Sequence, residues 1–314
     1  MAHERRFRFG VMAPRAGSAA EFRETARRAE ALGYSTLFVP DHFVDHPLAP
    51  MPALAVAAGV TTTLRVGSLV LGNDYRHPVV LAHEAATLDL LSDGRLELGM
   101  GAGWMTADYE KAGMTLDPPS VRIARLAESI TILKGLFADG AFTFAGDHYT
   151  VTDLDGEPKP VQRPHPPFIV GGGAPRILGL AAREAQIVGV NANLRSGDGT
   201  SSDAANSLAP DPTDRKLDWV REAAGERFDQ LEIQTIVGFV HDTDDPQSIA
   251  EVIAGGFGVS PDEALLSPVT LVGTRSQMVD LLHARRERWQ MSYHVIPQEA
   301  IEDFAPVVAA LAGT

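Results

Sequence analysis

The feature that most constrains this chain is a repeated alternation: short apolar runs rich in β-branched residues are separated by longer stretches in which apolar residues recur at helical spacing. Such alternation is the mark of βα units around a parallel sheet. Phe7 to Met12 reads as a buried strand; Phe22, Ala26, Ala29 and Leu32 then share one helical face of a charged segment that Gly33 closes. Thr36 to Val39 is the second strand, a helix from about Pro52 to Thr62 leads to the strand Arg65 to Leu71, and Pro78 opens a helix with Leu81, Ala85, Leu88 and Leu91 on one face. Leu96 to Gly99 follows, then a long amphipathic helix with Val121, Leu126, Ile130, Leu133 and Phe137 inward. Phe168 to Val170, Ile187 to Val190, Glu232 to Val240 and Ser292 to Ile296 bring the strands to eight. The expected fold is therefore an α/β TIM (β/α)8 barrel, a single domain over residues 1–314.

Two segments break the rhythm. Residues 141–167 read as a hairpin followed by a proline-rich connector. Residues 193–212, rich in Ser, Gly, Asp and Pro, follow the sixth strand on the face where barrel enzymes keep their active-site loops. They read either as a lid or as a plain solvated loop.

The composition narrows the partners. With 45% hydrophobic and 22% charged residues the chain has a core to bury, and a net charge of -14 opposes nucleic acid and anionic membrane surfaces alike. No run approaches the roughly 18 consecutive apolar residues of a spanning helix, and MAHERRFRFG lacks an apolar signal core, so a cytoplasmic protein is expected. The absence of cysteine excludes disulfides, thiolate nucleophiles and thiolate metal sites.

Candidate chemistry gathers where strands end. Asp41 and His42 close the second strand. Such an imidazole can exchange a proton near neutral pH with the adjacent carboxylate fixing its tautomer, or can simply hydrogen-bond a loop carbonyl; position alone leaves both open. His42, Asp45 and His46 raise the question of a metal, but Pro40 and Pro47 bracket them in a loop and no paired-His strand appears, so no metal site is expected. Gly99-Met100-Gly101-Ala102-Gly103-Trp104 lacks the last glycine and the immediate helix of a dinucleotide fingerprint; its glycines are read either as room for a planar ring or as a tight turn. Gly171-Gly172-Gly173-Ala174-Pro175-Arg176 lies between a strand and a helix, where free amides and an arginine suit a phosphate.

Taken in order, several motifs resemble the luciferase-like monooxygenase superfamily, above all its branch using the deazaflavin coenzyme F420. They are Val39-Pro40-Asp41-His42-Phe43, the run Val66 to Asn73, Tyr75-Arg76-His77-Pro78, Glu84 to Leu90, Ser92-Asp93-Gly94-Arg95, the Gly99 to Trp104 turn and Gly171-Gly172-Gly173. Beyond about Val190 the resemblance rests on strand count and the Val272-Gly273-Thr274 turn. It implies a barrel that is usually homodimeric, with a tricyclic ring at the mouth and a phosphate on the glycine turn. By motif position Asp41 and His42 correspond to the family's ring-side pair, His42 to its catalytic histidine, and Leu69-Val70 to a bulge, often a non-prolyl cis peptide, behind the ring. The implied cofactor-binding set is Asp41, His42, Leu69, Val70, Gly72, Asn73, Ala102, Gly103, Trp104, Gly172, Gly173, Ala174 and Arg176. Where deazaflavin sugar-phosphate dehydrogenases carry a glutamate after the glycine turn this chain has Trp104, which speaks against sugar-phosphate oxidation. The function so implied is hydride transfer between reduced F420 and a small organic substrate. FMN-dependent monooxygenation, or flavin binding without catalysis, are the alternatives.

Overall fold

A computed structural model describes residues 5–314. The eight apolar runs become eight parallel strands: β1 (Arg8–Met12), β2 (Thr36–Val39), β3 (Arg65–Ser68), β4 (Leu96–Gly101), β5 (Phe168–Gly172), β6 (Ile187–Val190), β7 (Glu232–Ile236) and β8 (Met291–Pro297). Each pairs with its sequence neighbour, and β1 pairs with β8, so the sheet closes into a barrel. Closure leaves the strands no edge, and helices cover the outside.

Side chains alternate between two cores. Those facing out pack under the helices, as Val11, Leu37 and Val66 do, while Phe38, Leu69, Ile169, Tyr293 and Val295 fill the interior. The N-terminal end of the barrel is sealed by a polar cluster. Arg8 bridges Glu97 and Glu232, Arg65 Nε donates to Glu97 at 2.8 Å, and the buried Tyr293 hydroxyl donates to Glu97 at 2.9 Å while lying 2.6 Å from the Thr36 hydroxyl, which can donate to it.

Three expectations are corrected. The run Glu232 to Val240 is not one strand: β7 stops at Ile236, and after Gly238 the segment Phe239–Asp242 pairs in parallel with Thr270–Gly273 in a small sheet outside the barrel. On the helix Pro78–Leu91 the buried stripe passes through Leu81, Ala85 and Asp89, leaving Leu91 71% exposed. Asp89 is tolerated inside because its carboxylate accepts from Gln162, backbone amide and side chain. Arg65 to Leu71 is broken as well. Gly67 pairs with Glu97 and Leu71 with Met100, so β3 carries one residue more than β4 between these pairs, and the bulge falls at Ser68 to Val70.

The segments 141–145 and 150–155 do form an antiparallel hairpin. Residues 193–212 are not bare loop; they contain the short helix Ser202–Asn206 and the start of the helix Pro210–Ala224. Among the described residues no helix is long and apolar enough to cross a membrane.

Candidate active site

Strand β2 delivers Asp41 and His42 to the C-terminal mouth, and the two side chains part company there. His42 Nδ1 lies 2.6 Å from Oδ2 of Asp108, on the short helix Thr106–Ala112. Asp108 is fully buried; its Oδ1 also accepts from the amides of Phe43 (2.9 Å) and Val44 (3.0 Å), and its Oδ2 from the Tyr75 hydroxyl (3.2 Å). Burial alone would raise its pKa, but the bond from His42 and the two amides outweigh this and hold the carboxyl below the usual range. An ionised carboxylate only accepts, so His42 Nδ1 carries the proton and Nε2 is the nitrogen left to exchange one.

Asp41 is not the carboxylate that orients His42. It takes a forked pair of bonds from Arg76 (2.7 and 3.3 Å) and accepts the Gly72 amide at 3.0 Å, tying β2 to the segment after the bulge. Both its oxygens are thereby engaged, and the expectation that Asp41 fixes the tautomer of His42 passes to Asp108.

The bulge is held by Ser68, whose hydroxyl donates to Gly99 O at 2.8 Å and accepts from Gly99 N at 3.0 Å. The Leu69–Val70 peptide is cis, with both side chains in the interior cluster below the mouth. The glycines of the neighbouring turn are packed against this bulge and against Tyr109. A Cβ on Gly99 would sit 2.0 Å from Ser68 O, one on Gly101 2.6 Å from Val70 Cγ2, and one on Gly103 2.0 Å from the Tyr109 hydroxyl. Ala102 and Gly103 turn their carbonyls to Arg122. Asn73 is buried, its Nδ2 3.4 Å from the Tyr149 hydroxyl of the hairpin. Trp104 stands edge-on to the imidazole of His42, ring centres 5.4 Å apart.

Across the mouth, Gly172 ends β5 and Gly173, Ala174 and Arg176 follow it. A Cβ on Gly172 would meet Ile177 at 2.3 Å and one on Gly173 the Ala192 carbonyl at 2.2 Å, so these glycines are demanded by packing. The helix Pro175–Glu184 begins at Ala174 with no side chain capping its first amides, and Arg176 is exposed beside them. The two arcs are linked by the segment after β6: an added Cβ on Gly199 would lie 3.5 Å from the Trp104 ring.

Sequence reasoning missed Asp108, Tyr75 and Arg76 as the groups that fix His42 and Asp41. It also missed Gln234, which lies on the same face of β7 as the inward-facing Ile236 and is buried with neither atom of its amide partnered. A glutamine two residues before an apolar inward position was the available signal.

A family profile described as luciferase-like monooxygenase matches residues 6–307. The chain belongs to that family. Over 160 residues it is 35% identical to the F420-dependent glucose-6-phosphate dehydrogenase of Amycolatopsis mediterranei (strain U-32), covering 48% of this chain and 47% of that protein. Over 137 residues it is 31% identical to the FMNH(2)-dependent dimethylsulfone monooxygenase of Pseudomonas putida, covering 44% of this chain and 38% of that one. This luciferase-like chain thus spans about half or less of the length of these curated relatives. The coenzyme F420 dependent tetrahydromethanopterin reductase of Methanopyrus kandleri superposes with a TM-score of 0.77 at 19% identity, over 98% of this chain and 99% of that one, which shows the shared barrel.

Proposed function

We propose that this enzyme is an F420-dependent oxidoreductase that moves a hydride between the deazaflavin and a small organic substrate. The observation that carries the reading is the His42–Asp108 pair at 2.6 Å, which leaves Nε2 of His42 to handle the accompanying proton. The groups at the mouth fit such a cofactor. Leu69 and Val70 offer an apolar support for a ring, the buried amide of Gln234 lacks partners, and the uncapped amides before Arg176 suit an anionic tail.

A bound deazaflavin supplies the ring carbon that accepts or gives the hydride. The protein does the rest. In an oxidation His42 Nε2 takes the hydroxyl proton of an alcohol as the carbinol carbon gives up its hydride; in the reverse direction it returns that proton. Asp108 stabilises the imidazolium so formed and keeps its ring from turning. Trp104, where the sugar-phosphate dehydrogenases have a glutamate, adds an apolar wall instead of a second acid.

Titration of the purified chain with F420 and with FMN, followed by absorbance, tests the reading. Saturable F420 binding at about micromolar levels or tighter is expected, with FMN weaker. Stoichiometric FMN on purification, or oxygen-dependent turnover with reduced FMN alone, would promote the monooxygenase reading. F420 binding without turnover on any substrate would leave a flavin carrier. Arg176→Ala is the site-specific arm. It should weaken F420 more than FMN, whereas substitutions at Gly172 or Gly173 would break packing first.

A further inference from the structure

Between the mouth and an apolar cavity of about 200 Å³ stands the segment that follows β6, residues 193–209. We propose that this segment is a gate: a plate braced within itself and fixed at its ends, which covers the Trp104 wall of the mouth in this structure and uncovers it by sinking into the cavity behind. The inference rests on the His42 site and not on which cofactor serves that site.

The front of the plate lies on the two elements that frame His42. A Cβ on Gly199 would stand 3.5 Å from Cη2 of Trp104 and 3.7 Å from Cδ2 of Leu194, and the Trp104 ring centre is 5.4 Å from that of His42. Gly197, with φ at +76°, comes closer still: a Cβ there would meet Oγ1 of Thr106 at 2.2 Å, and Thr106 opens the helix that carries Asp108. Neither contact is a hydrogen bond. Among the described residues no hydrogen bond or ion pair joins residues 194–206 to anything outside 193–209. The polar groups are spent inside the plate instead. Asp198 Oδ1 accepts from the amide (2.8 Å) and hydroxyl (2.7 Å) of Thr200, the Ser201 hydroxyl accepts from the Ala204 amide (3.3 Å) at the head of the helix Ser202–Asn206, and the Ser207 hydroxyl accepts from the Asn193 amide at 2.8 Å across the neck. Lys216 then holds the two ends through the carbonyls of Asn191 and Ser207.

The back of the plate has room to yield. On its side the cavity is lined by Ala204, Ala205 and Leu208, and on the far side by Phe239, Ile253 and Phe257 of the small outer sheet and its helix. Protein interiors are close-packed, so a fully packed segment has nowhere to go. Atoms that face a void lack partners, and a segment moving into the void gains contacts. Here such a movement exchanges contacts on Trp104 and Thr106 for contacts on the two phenylalanines, and it breaks no hydrogen bond to the barrel. Fixed ends and two arrangements with comparable contacts are what a hinged element requires. Shut, the plate shields the space beside His42 from bulk water; sunk, it leaves the edge of Trp104 free for a substrate to pass.

The test labels the full chain with 5-fluorotryptophan and reads ¹⁹F relaxation dispersion without cofactor. The chain has three tryptophans, and the Trp104 signal is the one lost in Trp104→Phe. Opening and closing on the microsecond to millisecond scale is expected to broaden that signal. The lock is Gly197→Cys with Thr106→Cys: an added Cβ on Gly197 lies 3.3 Å from Cβ of Thr106, near the roughly 3.8 Å of a disulfide, and the chain has no other cysteine. Oxidation of this pair should reduce the exchange broadening at Trp104 at least fivefold and dithiothreitol should restore it, with the Trp219 and Trp289 signals unchanged throughout. Should the crosslink not close, Ala204→Leu fills the cavity from the side of the plate and should reduce the broadening by a similar factor. A Trp104 signal free of exchange broadening in wild type, or broadening that neither variant alters, would overturn the proposal. Because no cofactor is present, either result leaves the F420 titration to decide the oxidoreductase reading by itself.

Discussion

The two halves of the barrel mouth are built on opposite plans. In the arc that follows β2, β3 and β4, residues 36–109, polar groups answer one another: Asp41 with Arg76 and Gly72, Asp108 with His42 and Tyr75, Asp74 with Tyr109 and Arg125, Ser68 with Gly99. Among the described residues of that arc the one buried side-chain atom without a partner is Glu84 Oε2. In and after β6 and β7, by contrast, Gln234, Ser267 and Thr270 are all buried with an unpartnered atom, and a cavity remains open. The first plan holds His42 and Asp108 in fixed geometry; the second leaves buried polar atoms without partners.

The contrast is broken most directly at glycines. Gly99→Ala sets a methyl 2.0 Å from the carbonyl of Ser68, a backbone atom that cannot step aside, and should cost about 3 kcal/mol in urea unfolding. Gly255, in the outer helix Pro246–Phe257, has nothing within 4 Å of an added Cβ, so Gly255→Ala should gain roughly 0.5 to 1 kcal/mol. Similar effects at the two sites would mean the first arc is as yielding as the second.

The next test sharpens the division within the first arc. Asp108→Asn should lower turnover roughly a hundredfold, as should His42→Ala, with cofactor affinity nearly unchanged. Because Asp108 acts through His42, the double variant should be little slower than His42→Ala alone. Asp41→Asn should instead lower stability, with its fork to Arg76 weakened, and leave the pH profile of turnover in place. Additive losses from the first pair would place Asp108 outside the proton step.

These outcomes bear on what could be read before any coordinates. The eight strands were legible because β-branched runs must be buried on both faces in a parallel barrel. The position of His42 was legible because strand ends face the mouth. Asp108 was not: it sits 66 residues away, in a segment, Thr-Ala-Asp-Tyr-Glu-Lys, that reads as an ordinary helix surface. The glycines at 99, 101 and 103 were visible, but what an added Cβ would meet, the bulge at 99 and 101 and Tyr109 at 103, is set by segments distant in sequence. The outer sheet was missed although Gly238 marks the break, since an apolar run on both sides of a lone glycine looks continuous. The cavity has no pattern in the sequence, because its walls come from four separate segments.

The last expected effect concerns how the second arc is tied down. Lys216 is 2% exposed, and its ammonium donates to the carbonyls of Asn191 at 2.8 Å and Ser207 at 2.6 Å, clipping the two ends of the segment that roofs the cavity. No carboxylate is among these partners, and burial lowers its pKa from 10.5 to about 8. The folded chain therefore sheds this proton near pH 8, whereas the unfolded chain keeps it until about pH 10.5. Between those values the unfolded state binds more protons, so stability attributable to this residue rises with pH; below pH 8 both states hold the proton and the dependence vanishes. The rise should amount to about 1 kcal/mol between pH 8 and pH 9. Lys216→Met removes the titration, so the gap in urea midpoint between wild type and variant should widen in favour of wild type across that interval. A gap that stays constant from pH 7 to 10 would mean that Lys216 stays charged and solvated, and that the roof is no less firmly tied than the wall opposite.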